Sequence, residues 1–359
     1  MKIAFISSAS SVHVKKIANE LTARNHEIVL FTCPNHLKLV KEFDKRIAIE
    51  TLPFRSPFGY YLNALALRKR LLAGRFDLYN SHYASGYGTL ARLAGVHPLS
   101  LAVFGSDVFE YPYKSRWNMR TLVKNLDNAD VITSTSRIMV DELRKFYRRN
   151  REIFVTPFGV DLNAFRPLES AHGTTFVFGT VKKIERIYGI DVLIKAFGQL
   201  CGELPGVSLE LHIYGRGSAR EEFQELCRTL GIADKVRFMG YIPNTDVPRA
   251  LSTMDVACFP SVVDESFGVA VVEAMACGIP VIASDVAGFR EVLGGNGPGV
   301  LVERKSVGAL EQAMRQMYSL SSEDRRRMGM EGRKRALSFY DFKKNADVYL
   351  RAISTPLAT

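Results

Sequence analysis

This 359-residue chain has few of the groups from which crosslinks, metal sites or membrane spans are built. Its five cysteines (Cys33, Cys201, Cys227, Cys258, Cys277) are scattered, odd in number and never form a Cys-x-x-Cys pair. That argues against a disulfide framework or a thiolate metal site, and the thiols read as core groups of a reducing compartment. The seven histidines are dispersed and the chain contains no Asp-x-Asp, so no metal centre is expected. No apolar run reaches the ~20 residues of a spanning helix. The longest, residues 269–283, is broken by Glu273 and Pro280. The 27 glycines and 14 prolines follow no repeat, which excludes a collagen-like or low-complexity chain. The first residues, Met1-Lys2-Ile3-Ala4-Phe5, lack a signal-peptide pattern, and a cytoplasmic protein is expected.

What is present is the composition of a packed protein, 47% hydrophobic and 24% charged, long enough for two domains. The net charge of +11 is one-sided. Residues 1–166 carry 25 Lys+Arg against 14 Asp+Glu, whereas the remainder carries 23 against 23. A basic first half points to an anionic partner such as a membrane surface, a phosphorylated acceptor or nucleic acid; a basic surface serving solubility is the plain alternative.

Short apolar runs alternate with helix-length amphipathic segments in both halves. Strands are expected over 2–7, 27–32, 46–52, 78–81, 99–104, 131–133 and 153–156, with helices over 11–24, 60–72 and 136–146 and a short one near Thr89. After the polar stretch 167–174 the alternation restarts, with strands at 175–181, 208–214, 235–239, 255–259 and 280–283. Helices are expected there at 190–200, 220–230 and 269–276. Such alternation predicts an α/β chain of two doubly wound, Rossmann-like parallel sheets facing an interdomain cleft. The expected domains are 1–165 and 166–337, with a last helix near 338–353 in a segment, 338–359, returning to the first domain. Ligands of such sheets lie beyond the carboxyl ends of the strands.

The richest segment runs from Pro260 to Ala283. Glu265 falls in a loop after a buried strand, and Phe267, Gly268 and Val269 open the next helix. Their amides, with the positive end of the helix dipole, suit a phosphate, and Gly268 lets an anion reach the backbone. Glu273, about one turn into an otherwise apolar helix, requires a polar partner, and a ribose diol is one candidate. Helix capping by Glu265 and a solvated Glu273 are the plain alternatives.

These residues resemble the retaining glycosyltransferases of family four, glycosyl transferases group 1. Glu265 and Glu273 are separated by seven residues, with Phe-Gly among them and Glu-Ala-Met-Ala-Cys-Gly-Ile-Pro-Val-Ile-Ala from Glu273 onward. Further matches are Pro157-Phe-Gly-Val-Asp161, Tyr214-Gly-Arg-Gly217, Met239-Gly240 and Phe259-Pro260-Ser261. The resemblance implies the GT-B fold. It assigns Glu265 to the donor sugar, the amides of Phe267, Gly268 and Val269 to the diphosphate, and Glu273 to the ribose. It places Lys182 as a cation on the leaving group, with Tyr188 standing where the family has a second cation, so Lys183 and Arg186 become candidates for that role. Gly215, in the Tyr214–Gly217 match, joins the donor site. The donor implied is a UDP- or GDP-type sugar, with no cofactor and no metal.

In the first half the loop Ser7-Ser8-Ala9-Ser10-Ser11-Val12-His13 replaces the family's glycine-bearing loop, and Phe104 stands where many relatives have His. Ser11, His13 and His82 are candidates for the acceptor, and Asp107 for orienting its hydroxyl. The plain alternatives are a surface residue for His13, a buried satisfied residue for His82 and a turn residue for Asp107. The stretch 111–124 combines the only Trp, Trp117, with Lys114, Arg116, Arg120 and Lys124, and 60–70 combines Tyr60, Tyr61 and Leu62 with Arg68, Lys69 and Arg70. Both suit an anionic membrane interface. The clusters Arg325-Arg326-Arg327 and Arg333-Lys334-Arg335 sit among acids and read as a solvated helix face, not a nucleic-acid site.

The expected function is therefore transfer of a hexose from a nucleotide sugar to a saccharide or lipid-linked acceptor in cell-surface polysaccharide synthesis (O-antigen, capsule or lipopolysaccharide). It would take place at the inner face of the membrane. A transferase with a soluble acceptor and a non-catalytic sugar-nucleotide-binding protein are the alternatives.

Overall fold

A computed structural model describes residues 1–169, 173–295 and 298–357. It divides into two compact units, 1–158 with 343–359, and 159–342. The divisions therefore fall at 158/159 and 342/343, displaced from the expected 165/166 and 337/338. Backbone hydrogen bonds explain the shift. Val160 N donates to Tyr340 O and Phe342 N to Val160 O, while Arg333 donates to the carbonyls of Leu162 and Phe165. Residues 159–165 are thereby tied to the second unit. Within the polar stretch 167–174, residues 170–172 lie outside the described residues, as do 358–359 of the last segment.

Unit 1 runs β1 (Lys2–Ile6), α1 (Val12–Ala23), β2 (Glu27–Thr32), β3 (Ala48–Thr51), α2 (Gly59–Leu62), α3 (Ala64–Gly74), β4 (Leu78–His82), α4 (Gly86–Ala94) and β5 (Leu99–Val103). It continues through α5 (Ser106–Phe109), α6 (Arg116–Asn128), β6 (Val131–Ser134), α7 (Arg137–Arg144) and β7 (Ile153–Val155). The strands form one parallel sheet in the order β3-β2-β1-β4-β5-β6-β7. β1, β4 and β5 are almost wholly buried, as continuous apolar runs covered on both faces should be. The chain order reverses between β1 and β4, the switch point at which such sheets bind ligands.

Unit 2 runs β8 (Phe176–Val181), α8 (Ile190–Glu203), β9 (Leu209–Tyr214), α9 (Arg220–Thr229), β10 (Val236–Gly240), α10 (Val247–Leu251) and β11 (Val256–Phe259). It ends with α11 (Val269–Ala276), β12 (Val281–Ser284), α12 (Ala287–Leu293), β13 (Gly299–Val302), α13 (Val307–Ser319) and α14 (Ser322–Phe339). Its parallel sheet has the order β10-β9-β8-β11-β12-β13, so its switch point lies between β8 and β11. The edge strand β13, partly buried and short, carries too weak a pattern to be read from sequence. All five cysteines are free and buried.

The last helix is α15 (Phe342–Ser354), shorter at its start than expected because 338–339 complete α14. It belongs to unit 1, where Ala346, Tyr349 and Ile353 join the core formed by β1, β2 and α1. The Tyr349 hydroxyl accepts from Asn80 Nδ2 at 2.6 Å and lies 3.0 Å from His82 Nε2. Sequence reading offered His82 to an acceptor. The structure corrects this: the ring is fully buried among Phe5, Phe104 and Tyr349. Burial holds its pKa down at about 3, so it stays neutral. His13, stacked on Phe158 with ring centroids 3.9 Å apart, is lowered to about 4 by burial and by Lys16.

Two outcomes follow. Tyr349→Phe leaves Asn80 and His82 facing an apolar wall and should cost about 1–3 kcal/mol of unfolding free energy in urea titrations; an unchanged midpoint would contradict the anchoring role. The histidines also set a pH dependence. The unfolded chain takes up their protons near the ordinary value of 6.5, whereas the folded unit resists until about 4 and 3. Their contribution to stability is whole above that value and is lost as pH falls toward 4. Thermal midpoints should drop across this window, and His13→Phe, which keeps the stack without the titration, should flatten the drop.

Candidate active site

The two unit 2 strands that flank its switch point deliver one charged residue each. Lys182 directly follows β8, and Glu265 lies in the loop after β11. Lys182 Nζ donates to Glu265 Oε1 at 2.8 Å, with both side chains about one-fifth exposed (20% and 18%). Ser261 Oγ donates to the same carboxylate oxygen at 3.2 Å. The Lys182 ammonium also lies 4.5 Å from the centroid of the Tyr188 ring. Tyr188 thus supplies a π face to the cation; no alternation or spacing rule shows such a contact.

Backbone packing fixes this arrangement. Gly215 has φ +147°, and a Cβ there would stand 1.9 Å from the Lys182 carbonyl oxygen. The loop after β9 can therefore press against the end of β8 only without a side chain. Gly215, Lys182 and Lys183 line one cleft with Tyr214, Arg216 and Tyr241, about 600 Å³ in volume. Arg216 lies over the Tyr241 ring at 4.7 Å. Arg186 does not join them: its guanidinium pairs with Glu222 on α9 at 2.8 Å, in a separate depression with Ser218. In this arrangement that neighbouring acid draws it outward, away from Lys182.

Gly268 caps α11 with φ +113° and ψ +52°, and a Cβ there would meet Phe289 at 2.7 Å. Phe267 is 3% exposed and packs edge-on against Tyr340, so its side chain serves the core and only its backbone can face a ligand. Val269 opens α11 as expected. Four residues further, Glu273 is 7% exposed and accepts from Asn244 Nδ2 at 3.1 Å. The polar partner that its apolar surroundings demand is met by a residue 29 positions away, beyond the reach of local pattern reading.

Around the other switch point, Asp107 is 1% exposed. Its oxygens accept from the amides of Ala84 (2.8 Å), Gly105 (2.8 Å) and Phe104 (3.1 Å). Burial pushes its carboxyl above the ordinary value, against those amides. Its expected work on an acceptor hydroxyl is corrected: it ties the turns after β4 and β5 together. Ser11 caps α1 and lies 3.3 Å from the Tyr83 hydroxyl. Trp117 is 69% exposed, and Lys114, Arg116, Arg120 and Lys124 are exposed along the same stretch. The arginine clusters of α14 are less solvated than expected. Arg325, Arg333 and Arg335 donate to backbone carbonyls of Leu320, Ala276 and Val292 among others.

Comparison with known proteins matches this architecture. Residues 163–335 fit the family model of glycosyl transferases group 1, and residues 2–136 that of glycosyl transferase 4-like proteins. A D-inositol 3-phosphate glycosyltransferase of Paenarthrobacter aurescens is 28% identical over 284 residues, covering 70% of this chain and 66% of that protein. The GDP-mannose-dependent alpha-(1-6)-phosphatidylinositol monomannoside mannosyltransferase of Mycolicibacterium smegmatis is 26% identical, covering 89% and 88%. Among solved structures, Anabaena HepE in complex with UDP superimposes with a TM-score of 0.82 at 19% identity, covering 99% and 100%. With one family model on each unit and two doubly wound parallel sheets beneath them, the chain belongs to glycosyl transferases group 1 and has the GT-B fold.

Proposed function

We propose that this glycosyltransferase takes a hexose from a nucleoside diphosphate sugar of UDP or GDP type. It passes the sugar, with retention at the anomeric carbon, to a saccharide or lipid-linked acceptor of cell-surface polysaccharide. One observation carries this reading: the Lys182–Glu265 pair at the β8/β11 switch point, 2.8 Å apart and next in sequence to the start of α11. The donor class is also supported by the name of the GDP-mannose-dependent relative and by the UDP in the HepE complex.

The chemistry follows from charge. Cleaving the bond between the anomeric carbon and the β-phosphate oxygen leaves both bonding electrons on the diphosphate. Lys182, with Lys183 on the same cleft, and the amides of Phe267, Gly268 and Val269 stabilise that charge as it grows. Glu265 accepts from hydroxyls of the donor sugar and holds the ring in place, while Glu273 accepts from the ribose diol. The acceptor oxygen bonds to the anomeric carbon on the face that the phosphate leaves, and its proton passes to the departing phosphate oxygen. The balance then needs neither an enzymic base nor a metal.

Membrane association rests on a different set of residues. In α6 and the turn before it, Tyr113 (55%) and Trp117 (69%) are exposed beside four cations. In α2 and α3, with the residue before them, Phe58 (75%), Leu62 (58%) and Leu65 (81%) stand in solvent. Aromatic and aliphatic side chains beside Lys and Arg fit the headgroup boundary of an anionic leaflet. Arg68 takes no part, because it donates to the carbonyls of Ala94 and Gly95. Among the described residues no helix is long and apolar enough to cross a membrane.

Two measurements test these assignments. Glu265→Ala should keep the thermal midpoint and lower sugar transfer from the preferred nucleotide sugar by about 100-fold or more, the range for losing a group aimed at the reacting centre. Near-normal turnover would remove Glu265 from the site. In co-sedimentation with vesicles containing phosphatidylserine, Trp117→Ala combined with Arg116→Ala and Arg120→Ala should reduce binding by roughly thirtyfold or more, at about 1 kcal/mol per lost cation. Equal binding would move the membrane contact elsewhere.

A further inference from the structure

The loop after β10 touches two parts of unit 2 that the donor reading keeps separate. Tyr241 and Ile242 line the cleft that holds Lys182, Lys183 and Gly215. Shortly after them, Asn244 opens a single 3-10 turn over Asn244–Asp246, and its Nδ2 donates to Glu273 Oε1 on α11 at 3.1 Å. A carboxylate oxygen accepts and the amide nitrogen donates, so the direction of this bond is fixed. Glu273 is 7% exposed and stands between Val272 and Ala274, both fully buried. A carboxylate in such surroundings is costly unless a donor reaches it, and Asn244 brings one from a distant loop.

The turn that presents this amide is anchored, although Asn244 itself is exposed. Pro243 precedes it, and the Pro243 carbonyl accepts from Asp246 N at 3.0 Å. Pro248 sits in the first turn of α10, whose Val247, Ala250 and Leu251 are buried. Proline on either side of the turn restricts the backbone there, and the buried side of α10 fixes it to the core. Little further ordering is then needed to form the bond. The Glu273 side chain, in contrast, has three rotatable bonds of its own. With Oε1 held by Asn244, the plane of its carboxylate is set before any ligand arrives. Two carboxylate oxygens offer about four lone-pair sites, so one bond to Asn244 does not exhaust what the group can accept.

We infer that Asn244 is a positioning residue for the nucleoside part of the donor. Resting on the assignment of Glu273 to the ribose diol proposed above, it holds that carboxylate in the orientation that lets the two hydroxyls donate to it. Asn244 touches no reacting atom in this role. Its effect passes through Glu273 and falls on nucleotide affinity, and only on nucleotides that carry the diol. The same bond ties the Tyr241–Ile242 wall of the cleft to α11, so both sides of the nucleotide are referred to one turn.

The test uses the full-length protein and calorimetric titration with UDP and GDP, continued with the tighter of the two and its 2′,3′-dideoxy counterpart. The wild-type protein should prefer the ribose form by about tenfold or more, the range for a buried acceptor left without its donors. Asn244→Ala should weaken the ribose form by about fivefold and the dideoxy form by less than about twofold, so the preference narrows. A substitution that only loosened the turn would weaken both forms alike. Asn244→Asp keeps the volume but, as a carboxylate, cannot donate and repels Glu273; its loss should equal or exceed that of Asn244→Ala. It carries the test if the alanine variant does not fold. In a Glu273→Ala background, Asn244→Ala should bring no further loss, because its route to the ligand is gone. Three results overturn the inference alone: ribose-form affinity unaltered in the Asn244 variants, equal weakening of both forms, or losses that add in the double variant. A wild-type protein that binds neither nucleotide, or binds both sugar forms alike, strikes at the proposed donor site itself, and the inference falls with it.

Discussion

The ion pair between Lys182 and Glu265 is the contact that the winding of unit 2 places at its β8/β11 seam. Two residues 83 positions apart meet because parallel winding puts β8 and β11 side by side and turns the chain away from the seam in both directions. The pair then needs loops that approach closely, and Gly215 supplies this by leaving only hydrogen where a methyl group would strike the Lys182 carbonyl. Taking two charges largely out of water gains little stability by itself. Holding a carboxylate and an ammonium ready beside a helix start is better explained by what they will later separate to bind. In the reaction proposed above, a diphosphate would compete for the ammonium and sugar hydroxyls for the carboxylate. The face of Tyr188 lies 4.5 Å from the ammonium, where a second cation would have repelled it.

Much of this was legible in the sequence, for physical reasons. Strands buried on both faces are nearly continuous apolar runs, so β1, β4, β5, β8 and β11 announce themselves, and the alternation with helices fixes a parallel sheet. The Glu265 to Glu273 segment is legible because its chemistry is local: a loop acid, a glycine and a helix start follow one another along the chain. What stayed hidden depends on burial or on distant partners. Asp107 has the right side chain and the right position after β5, but its oxygens are already taken by three backbone amides, and a residue type says nothing of that. His82 is a second instance, since its partner Tyr349 arrives from the far end of the chain. The break between α14 and α15 was missed for a related reason. The alternation of polar and apolar residues continues across it, and the interruption comes from the bridge between Val160 and Asp341.

Charge counted over a half-chain also misleads about where charge acts. The surplus of 11 in the first half points to an anionic partner, and part of it does stand on α6 in solvent. Other cations are occupied: Arg24 pairs with Glu20 and Asp347, and Arg68 closes the C-terminus of α4. The cleft lined by Ser8, Ser11, Tyr60 and Tyr83 has none among the described residues that line it. Net charge describes long-range attraction to a surface, whereas recognition within a few ångströms depends on side chains that composition cannot locate.

The two sheets share a winding and differ in what they place at its seam. At β8/β11 the loops bring a lysine, an acid and a helix start, the set that a charged leaving group demands. At β1/β4 the corresponding loops bring serines and a tyrosine, with further tyrosines around them. One topology thus provides two clefts, and their side chains give them different chemistry. A diphosphate needs cations because negative charge accumulates on it as the bond breaks. In the mechanism proposed above, the attacking hydroxyl needs only to be held, since its proton leaves with the phosphate. A cation in the second pocket would stabilise nothing in that step and would favour anionic competitors. The lack of Lys, Arg, Asp and Glu among the described residues that line the β1/β4 pocket is what a division of labour between leaving group and nucleophile would produce.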